Sequence, residues 1–129
     1  MSGWPTRSRW HRKPCAREPD PALAWACFGG LSPWEVVVDH RKVVGLAQVR
    51  RRTGVLLVAG VLIDATPWER LCAALGRPPE HAAGLRSMTV GCAQCLGCPA
   101  HVVAEAVAQR LEAVMNQTLG ALTQAAAQR

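Results

Sequence analysis

Lys42 is a residue whose type and position could do chemistry, because it lies in an otherwise apolar, strand-like run. Burying an ammonium group without a partner is costly or forces the group to lose its proton. Three interpretations follow. The side chain points to solvent on the strand face that it shares with Val44 and Leu46, or it binds an anionic ligand, or it acts as a desolvated nucleophile. Alternation favours the solvent-facing interpretation, whereas Gly45, which lets a ligand approach the backbone, favours a ligand.

A second group of candidate residues is a cysteine cluster, formed by Cys92, Cys95 and Cys98 and followed closely by His101. The C-x2-C-x2-C spacing is the start of an iron–sulfur pattern, and three cysteines with one histidine also fit a zinc site. The fourth cysteine of the iron–sulfur pattern is missing from its usual place, so His101 or a distant cysteine would have to serve. The simpler interpretation is that these cysteines pack as small hydrophobic side chains.

Composition narrows the class of protein. The chain has 129 residues, half of them hydrophobic, which is enough for one small domain. No apolar run approaches the roughly 18 residues of a membrane span, and no secretory signal follows the basic N-terminus. We therefore expect a cytoplasmic protein whose six cysteines are thiols or metal ligands. The net charge of +6 favours anionic partners.

The elements that must position Lys42 are predicted from periodicity. Residues 1–23 have neither helical nor strand periodicity and are predicted to form an irregular basic leader, ahead of a domain at 24–123 and a frayed tail at 124–129. Apolar segments separated by short turns predict an antiparallel meander. Its strands are predicted at Glu35 to Asp39, Lys42 to Val49 and Val55 to Ile63.

Helices are predicted to follow the strands. Thr66 and Glu69 predict a helix with a capping box that ends near Gly76. A second, short helix is predicted from Ser87 to Leu96. A last helix from Pro99 to Leu122 has apolar residues every three or four positions, so one of its faces should pack. Strands followed by helices predict an α+β fold.

Two stretches of the sequence carry a resemblance to a known family, WACFGGLSPWEV at Trp25 to Val36 and DHRKVVGLAQ at Asp39 to Gln48. The Arg-Lys-aliphatic-x-Gly-x-Ala-Gln segment in a strand–turn–strand setting resembles the lipoate-protein ligase and octanoyltransferase family, which shares its catalytic fold with biotin ligases. The resemblance runs from about Ala24 to Leu122 and covers the C-terminal half of the family's domain. It implies a partial biotin/lipoate-ligase-like catalytic domain.

The resemblance implies that Lys42 is the family's essential lysine, which contacts the carbonyl and phosphate of an acyl-adenylate or positions an acyl thioester. A fixed cation there stabilises the negative charge that develops during transfer. Gly45, Gln48 and Arg50 are the implied binding residues for a lipoyl- or octanoyl-adenylate or an acyl thioester, and the use of ATP stays open. The implied partner is a lipoyl acceptor domain, whose lysine receives the acyl group.

The chain also departs from the family. The Arg-Arg-x-x-Gly-Gly-Gly-type strand and loop of the family's first half has no match in the sequence, and Val58, Ala59 and Gly60 stand where many relatives have His-His-Gly-Ser. Cys27 is not surrounded by the motif of the nucleophilic cysteine of some octanoyltransferases and is not assigned that role. We therefore expect the C-terminal half of such a module, incomplete without an N-terminal half, and three explanations stay open: the chain is truncated, it is decayed, or a separate subunit supplies the N-terminal half.

Three functions are compatible with these observations. The first is a lipoate-ligase-like acyltransferase module built on Lys42. The second is a metal-binding or interaction module built on the cysteine cluster and His101. The third is a nucleic-acid binder that uses Trp4 and Trp10 of the leader together with Arg50 to Arg52, although a solvated turn is the simpler interpretation of those arginines.

Overall fold

The computed structural model describes the backbone of Trp10–His11 and residues 20–32 and 34–128. The rest of the leader, including Trp4, lies outside the described residues. The chain divides into two compact units, Met1–Gly97 and Cys98–Arg129.

The first unit contains a four-stranded antiparallel sheet in the order β1-β2-β3-β4. The strands are β1 (Trp10–His11), β2 (Val36–Val38), β3 (Arg41–Arg51) and β4 (Gly54–Val61). Asp39 and His40 join β2 to β3, and their φ angles of 48° and 63° are those of the two-residue turn that matches the twist of a hairpin. The meander predicted from the sequence is confirmed, as is the α+β class, because the helices follow the strands.

Four α-helices follow the sheet: α1 (Trp68–Ala74), α2 (Pro79–Met88), α3 (Cys92–Leu96) and α4 (Ala100–Ala127). The first ends next to Gly76, as predicted. Its predicted capping box is wrong, because Pro67 occupies the N-cap position and no side chain caps the helix. The Thr66 carbonyl instead accepts a hydrogen bond from the backbone N–H of Trp68 at 2.8 Å.

The single helix predicted from Ser87 to Leu96 is also wrong. Thr89 is extended and separates α2 from α3, since the backbone at this point bonds to the sheet. The N–H of Val90 donates to the carbonyl of Lys42 at 3.1 Å. Position 91 is occupied by glycine, and a larger residue would not fit there, because a Cβ at Gly91 would lie only 2.6 Å from the carbonyl oxygen of Asp64. Tertiary contacts thus interrupt a segment whose local sequence favours a helix.

The core of the first unit packs α1 and α2 against a short 3-10 helix at Pro21–Leu23. Its buried members are Leu23, Trp68, Cys72, Ala82 and Leu85. The indole N–H of Trp68 donates to the Thr89 hydroxyl at 3.0 Å, and that hydroxyl donates to the carbonyl of Leu85 at 2.7 Å. The core therefore contains two consecutive hydrogen bonds, which satisfy its buried polar side-chain groups, as well as apolar contacts.

The second unit is dominated by α4, which is helical to Ala127 and so includes most of the segment predicted to fray. The prediction that one face of this helix is buried is not met over residues 108–128. Val103 is buried, whereas every residue from 108 to 128 is exposed, including Leu111, Met115 and Leu122. An Ala-rich sequence keeps its helical propensity without packing. No helix among the described residues combines the length and apolar character needed to span a membrane.

Candidate functional site around Lys42

Lys42 is buried, with 3% of its surface exposed, so the solvent-facing interpretation is wrong. Its Nζ donates to the carbonyl oxygens of Cys27 at 2.7 Å and Gly30 at 3.0 Å, and it pairs with Glu35 Oε1 at 2.7 Å. An ammonium group has three protons, and these three oxygens can accept one each. A buried ammonium group was predicted to need a partner, and Lys42 has one in the Glu35 carboxylate, together with two backbone carbonyl acceptors.

Glu35 is the site residue that the sequence analysis missed. It is 3% exposed, and beyond Lys42 its carboxylate accepts hydrogen bonds from the N–H of Ser32 at 2.7 Å and of Leu46 at 3.2 Å. The signal was present but weak: an acidic residue immediately before an apolar strand, seven positions ahead of the lysine. Because every charged atom is hydrogen-bonded, this ion pair satisfies the condition under which a buried pair can persist.

The loop at residues 24–32 brings the acceptor carbonyls to Lys42. Gly29 permits its path, because a Cβ at this position would lie only 2.0 Å from the carbonyl oxygen of Leu23. The N–H of Gly29 closes the turn by donating to the carbonyl of Ala26 at 2.8 Å. Cys27, whose carbonyl bonds to Lys42, is itself exposed. The loop thus presents a thiol-bearing residue to solvent while its backbone is fixed to the buried cation.

Gly45 lies beside Lys42, but its surroundings differ from the expected open approach to the backbone. A Cβ at Gly45 would lie 3.2 Å from Lys42 Cε and 3.3 Å from Phe28 Cζ, so these side chains already occupy the space. The Phe28 ring also lies 5.1 Å from Lys42 Nζ, close enough for a cation–π interaction. A cavity of about 20 Å³ between Phe28, His40, Lys42 and neighbouring residues has room for about one water molecule.

Gln48 and Arg50 are not brought to Lys42. Both lie on β3 and are exposed. Gln48 lies six positions along the extended strand from Lys42, which corresponds to roughly 20 Å. Their assignment as binding residues for an acyl group or nucleotide stays a prediction.

The cysteine cluster is placed in two environments. Cys92 is buried and Cys95 half-buried in α3, whereas Cys98 and His101 are exposed in the second unit. Among the residues that the structure describes, no group of three or more His, Cys, Asp or Glu side chains is arranged to hold a metal ion. The metal assignment of these four residues stays a prediction without a structural observation in its favour.

Burial raises the pKa of the Cys92 thiol, and nearby Cys95 raises it further. A raised pKa means less thiolate at a given pH, so alkylation of Cys92 in the folded protein should rise at more alkaline pH than alkylation of the same residue in urea. Iodoacetamide labelling across a pH series, read by peptide mass spectrometry, measures both curves. Superimposable curves would contradict the raised pKa.

Comparison with known proteins identifies a relative of this chain. The octanoyltransferase LipM of Kyrpidia tusciae is 36% identical to this chain over 108 residues, which cover 74% of the chain and 36% of the relative. The chain thus spans about a third of the length of that curated protein. No family model matches the chain, and no solved structure matches it. The match relates the chain to the lipoate and octanoyl transferases.

Proposed function

We propose that this chain is an acyltransferase module that moves an octanoyl or lipoyl group from a thioester to a lysine of a lipoyl acceptor domain. The observation that carries the proposal is the hydrogen bond from buried Lys42 to the carbonyl of Cys27, which fixes an exposed cysteine beside a buried cation. The relationship to an octanoyltransferase supplies the class of acyl group.

The sequence motif of the nucleophilic cysteine is missing around Cys27, so its role is proposed here from its position alone, exposed on the loop whose backbone is bonded to Lys42. A cysteine thiol has the chemistry to carry the acyl group in two steps. In the first, its thiolate attacks the thioester carbonyl, a new carbon–sulfur bond forms, and the donor thiol leaves with the proton that Cys27 lost. In the second, the acceptor lysine amine attacks the new thioester, an amide forms, and the amine proton passes to the released Cys27 sulfur. Both steps exchange one acyl bond for another, so neither needs ATP.

Lys42 serves this chemistry in two ways. Its hydrogen bonds to the Cys27 and Gly30 carbonyls hold the loop, which limits the positions that the thiol can adopt. Its positive charge also stabilises the oxyanion of each tetrahedral intermediate.

The form of the acyl donor follows from the relative. An octanoyltransferase implies thioester chemistry, and no observation supports the acyl-adenylate or ATP that the sequence left open. The cavity at Lys42, of about 20 Å³, is far too small for an eight-carbon chain. Residues that enclose the acyl group must therefore come from outside this cavity, which supports the proposal that a separate N-terminal half completes the site.

The test is transfer of an octanoyl group from octanoyl-coenzyme A to an apo lipoyl domain, followed by intact-mass spectrometry. It is run with and without a polypeptide that carries the part of the octanoyltransferase relative that the match does not reach. We expect an acyl adduct on this chain that Cys27→Ser removes. Cys98→Ser, at another exposed cysteine, should leave the adduct in place.

Two outcomes would contradict the proposal. The first is no transfer by a chain that is demonstrably folded and supplied with the second polypeptide. The second is transfer that Cys27→Ser does not change, which would remove Cys27 from the mechanism.

A further inference from the structure

The outer part of the β3–β4 hairpin, residues 46–58, exposes an unusual amount of apolar surface. Six large hydrophobic side chains there are between 43% and 73% exposed. They are Leu46, Val49, Val55, Leu56, Leu57 and Val58. Exposed apolar side chains are normal when scattered, but a contiguous group of this size marks an interaction surface.

These side chains lie on both faces of the hairpin. The strand register pairs Val49 with Leu56 and Gln48 with Leu57, and side chains paired across a hairpin point to the same side. Val49, Leu56 and Val58 therefore share one face, and Leu46, Val55 and Leu57 share the other. A sheet with one wet face alternates apolar and polar residues, whereas strands that are apolar on both faces are typical of sheets covered on both sides.

The hairpin also ends the sheet. β4 is the last strand in the order, so within the described part of the chain its outer backbone edge has no strand beside it. Such an edge is a template for pairing with another strand. At the tip of the hairpin, Val49, Arg51, Val55 and Leu56 line an open cleft of about 340 Å³.

The geometry points to the outer hairpin as the docking surface for a polypeptide that completes the octanoyltransferase domain, an inference that rests on the proposed function. The match spans only 36% of the relative's length. The unmatched part of such an octanoyltransferase, almost two thirds of it, is large enough to bury this surface. The partner is a chain with apolar segments for both hairpin faces, a strand for the β4 edge, and acidic residues opposite Arg50 to Arg52.

A second copy of this chain is a poorer occupant. Two copies joined along their β4 edges would extend the sheet, but both faces of each hairpin would stay exposed. A partner that wraps the hairpin removes both faces and the edge from water together. It would also lie along β3, the strand that carries Lys42, where residues are needed to enclose the acyl group.

The experiment co-expresses the full chain, carrying an affinity tag, with the part of the Kyrpidia tusciae octanoyltransferase that the match does not reach. We expect a 1:1 complex by size-exclusion chromatography with light scattering. Leu56→Asp and Leu57→Asp, one on each hairpin face, should each weaken it about tenfold or more, because each would bury an unpaired carboxylate. Leu75→Asp, at an exposed residue outside the hairpin, is the matched control and should leave binding unchanged.

The relative's own matched segment, co-expressed with the same polypeptide, shows that the polypeptide is competent to bind. If that pair forms a complex and this chain does not, the inference is overturned. A homodimer that Leu57→Asp dissociates would overturn it as well, in favour of a second copy. Binding is measured without substrate, so a complex that transfers no octanoyl group would support the docking surface while contradicting the proposed function.

Discussion

Lys42→Ala should lower the free energy of unfolding by about 3–5 kcal/mol, because the substitution leaves the Glu35 carboxylate buried without its cation. Glu35 is 3% exposed and could not move to solvent without losing its bonds to the N–H groups of Ser32 and Leu46. The Cys27 and Gly30 carbonyls would also lose their donor. Urea denaturation followed by circular dichroism measures the change.

The control removes both charges together. Glu35→Gln with Lys42→Met keeps two side chains of similar volume and leaves no unpaired charge, so this double variant should recover most of the lost stability. An equal loss in the double variant and in Lys42→Ala would mean that the ion pair is not what makes the lysine costly to remove. A loss below about 1 kcal/mol in Lys42→Ala would contradict the burial of the pair.

This pair of variants also decides how an activity assay should be interpreted. Inactivity of Lys42→Ala alone has two causes, a missing ammonium group or a destabilised loop. A folded Glu35→Gln/Lys42→Met variant that does not transfer the acyl group would assign the loss to the missing ammonium group, through its charge or its hydrogen bonds to the Cys27 loop. Retained transfer would show that neither the charge nor those hydrogen bonds are needed for the reaction.

The sequence was sufficient to single out Lys42 but not to find its partners. A charged residue in an apolar strand requires an explanation whatever the fold, so its importance could be predicted. Glu35 became visible only through the irregular register between Val36 and Val37, which brings the end of β2 across from Leu46. The carbonyls of Cys27 and Gly30 belong to every residue type alike, and no sequence pattern marks them as ligands for a lysine.

Helix boundaries were predicted well where local signals decide them and poorly where the sheet does. Gly76 ends α1 with a positive φ of 61°, a conformation that glycine adopts without strain. Thr89 carries no comparable local signal. It is extended because the adjoining backbone bonds to Lys42, a contact between residues far apart in the sequence.

Apolar periodicity has a related limit. It predicted the hairpin strands and the long C-terminal helix correctly, since alternation and three- to four-residue spacing are properties of those structures. It could not predict that residues such as Leu57 and Leu119 would be exposed. A pattern identifies which face is apolar, whereas burial depends on whether another element is present to cover it.

Trp68→Ala should lower the free energy of unfolding by about 3–5 kcal/mol, the usual cost of deleting a buried aromatic side chain. Trp68 is 5% exposed and contacts the core formed with Leu23, Cys72 and Leu85. Its ring also lies 6.2 Å from that of Phe28, measured between centroids, so its loss should loosen the side chain that covers Lys42. Urea denaturation again gives the measurement.

Trp68→Phe separates packing from hydrogen bonding. Phenylalanine keeps an aromatic ring in the core but cannot donate to the Thr89 hydroxyl, so we expect a loss of about 1–2 kcal/mol, from one hydrogen bond and a slightly smaller ring. If the phenylalanine and alanine variants were equally unstable, the bond to Thr89 would dominate. Thr89 adjoins the backbone that bonds to Lys42, so that result would identify the Trp68–Thr89 hydrogen bond, rather than packing of the ring, as the main contribution of Trp68 to stability.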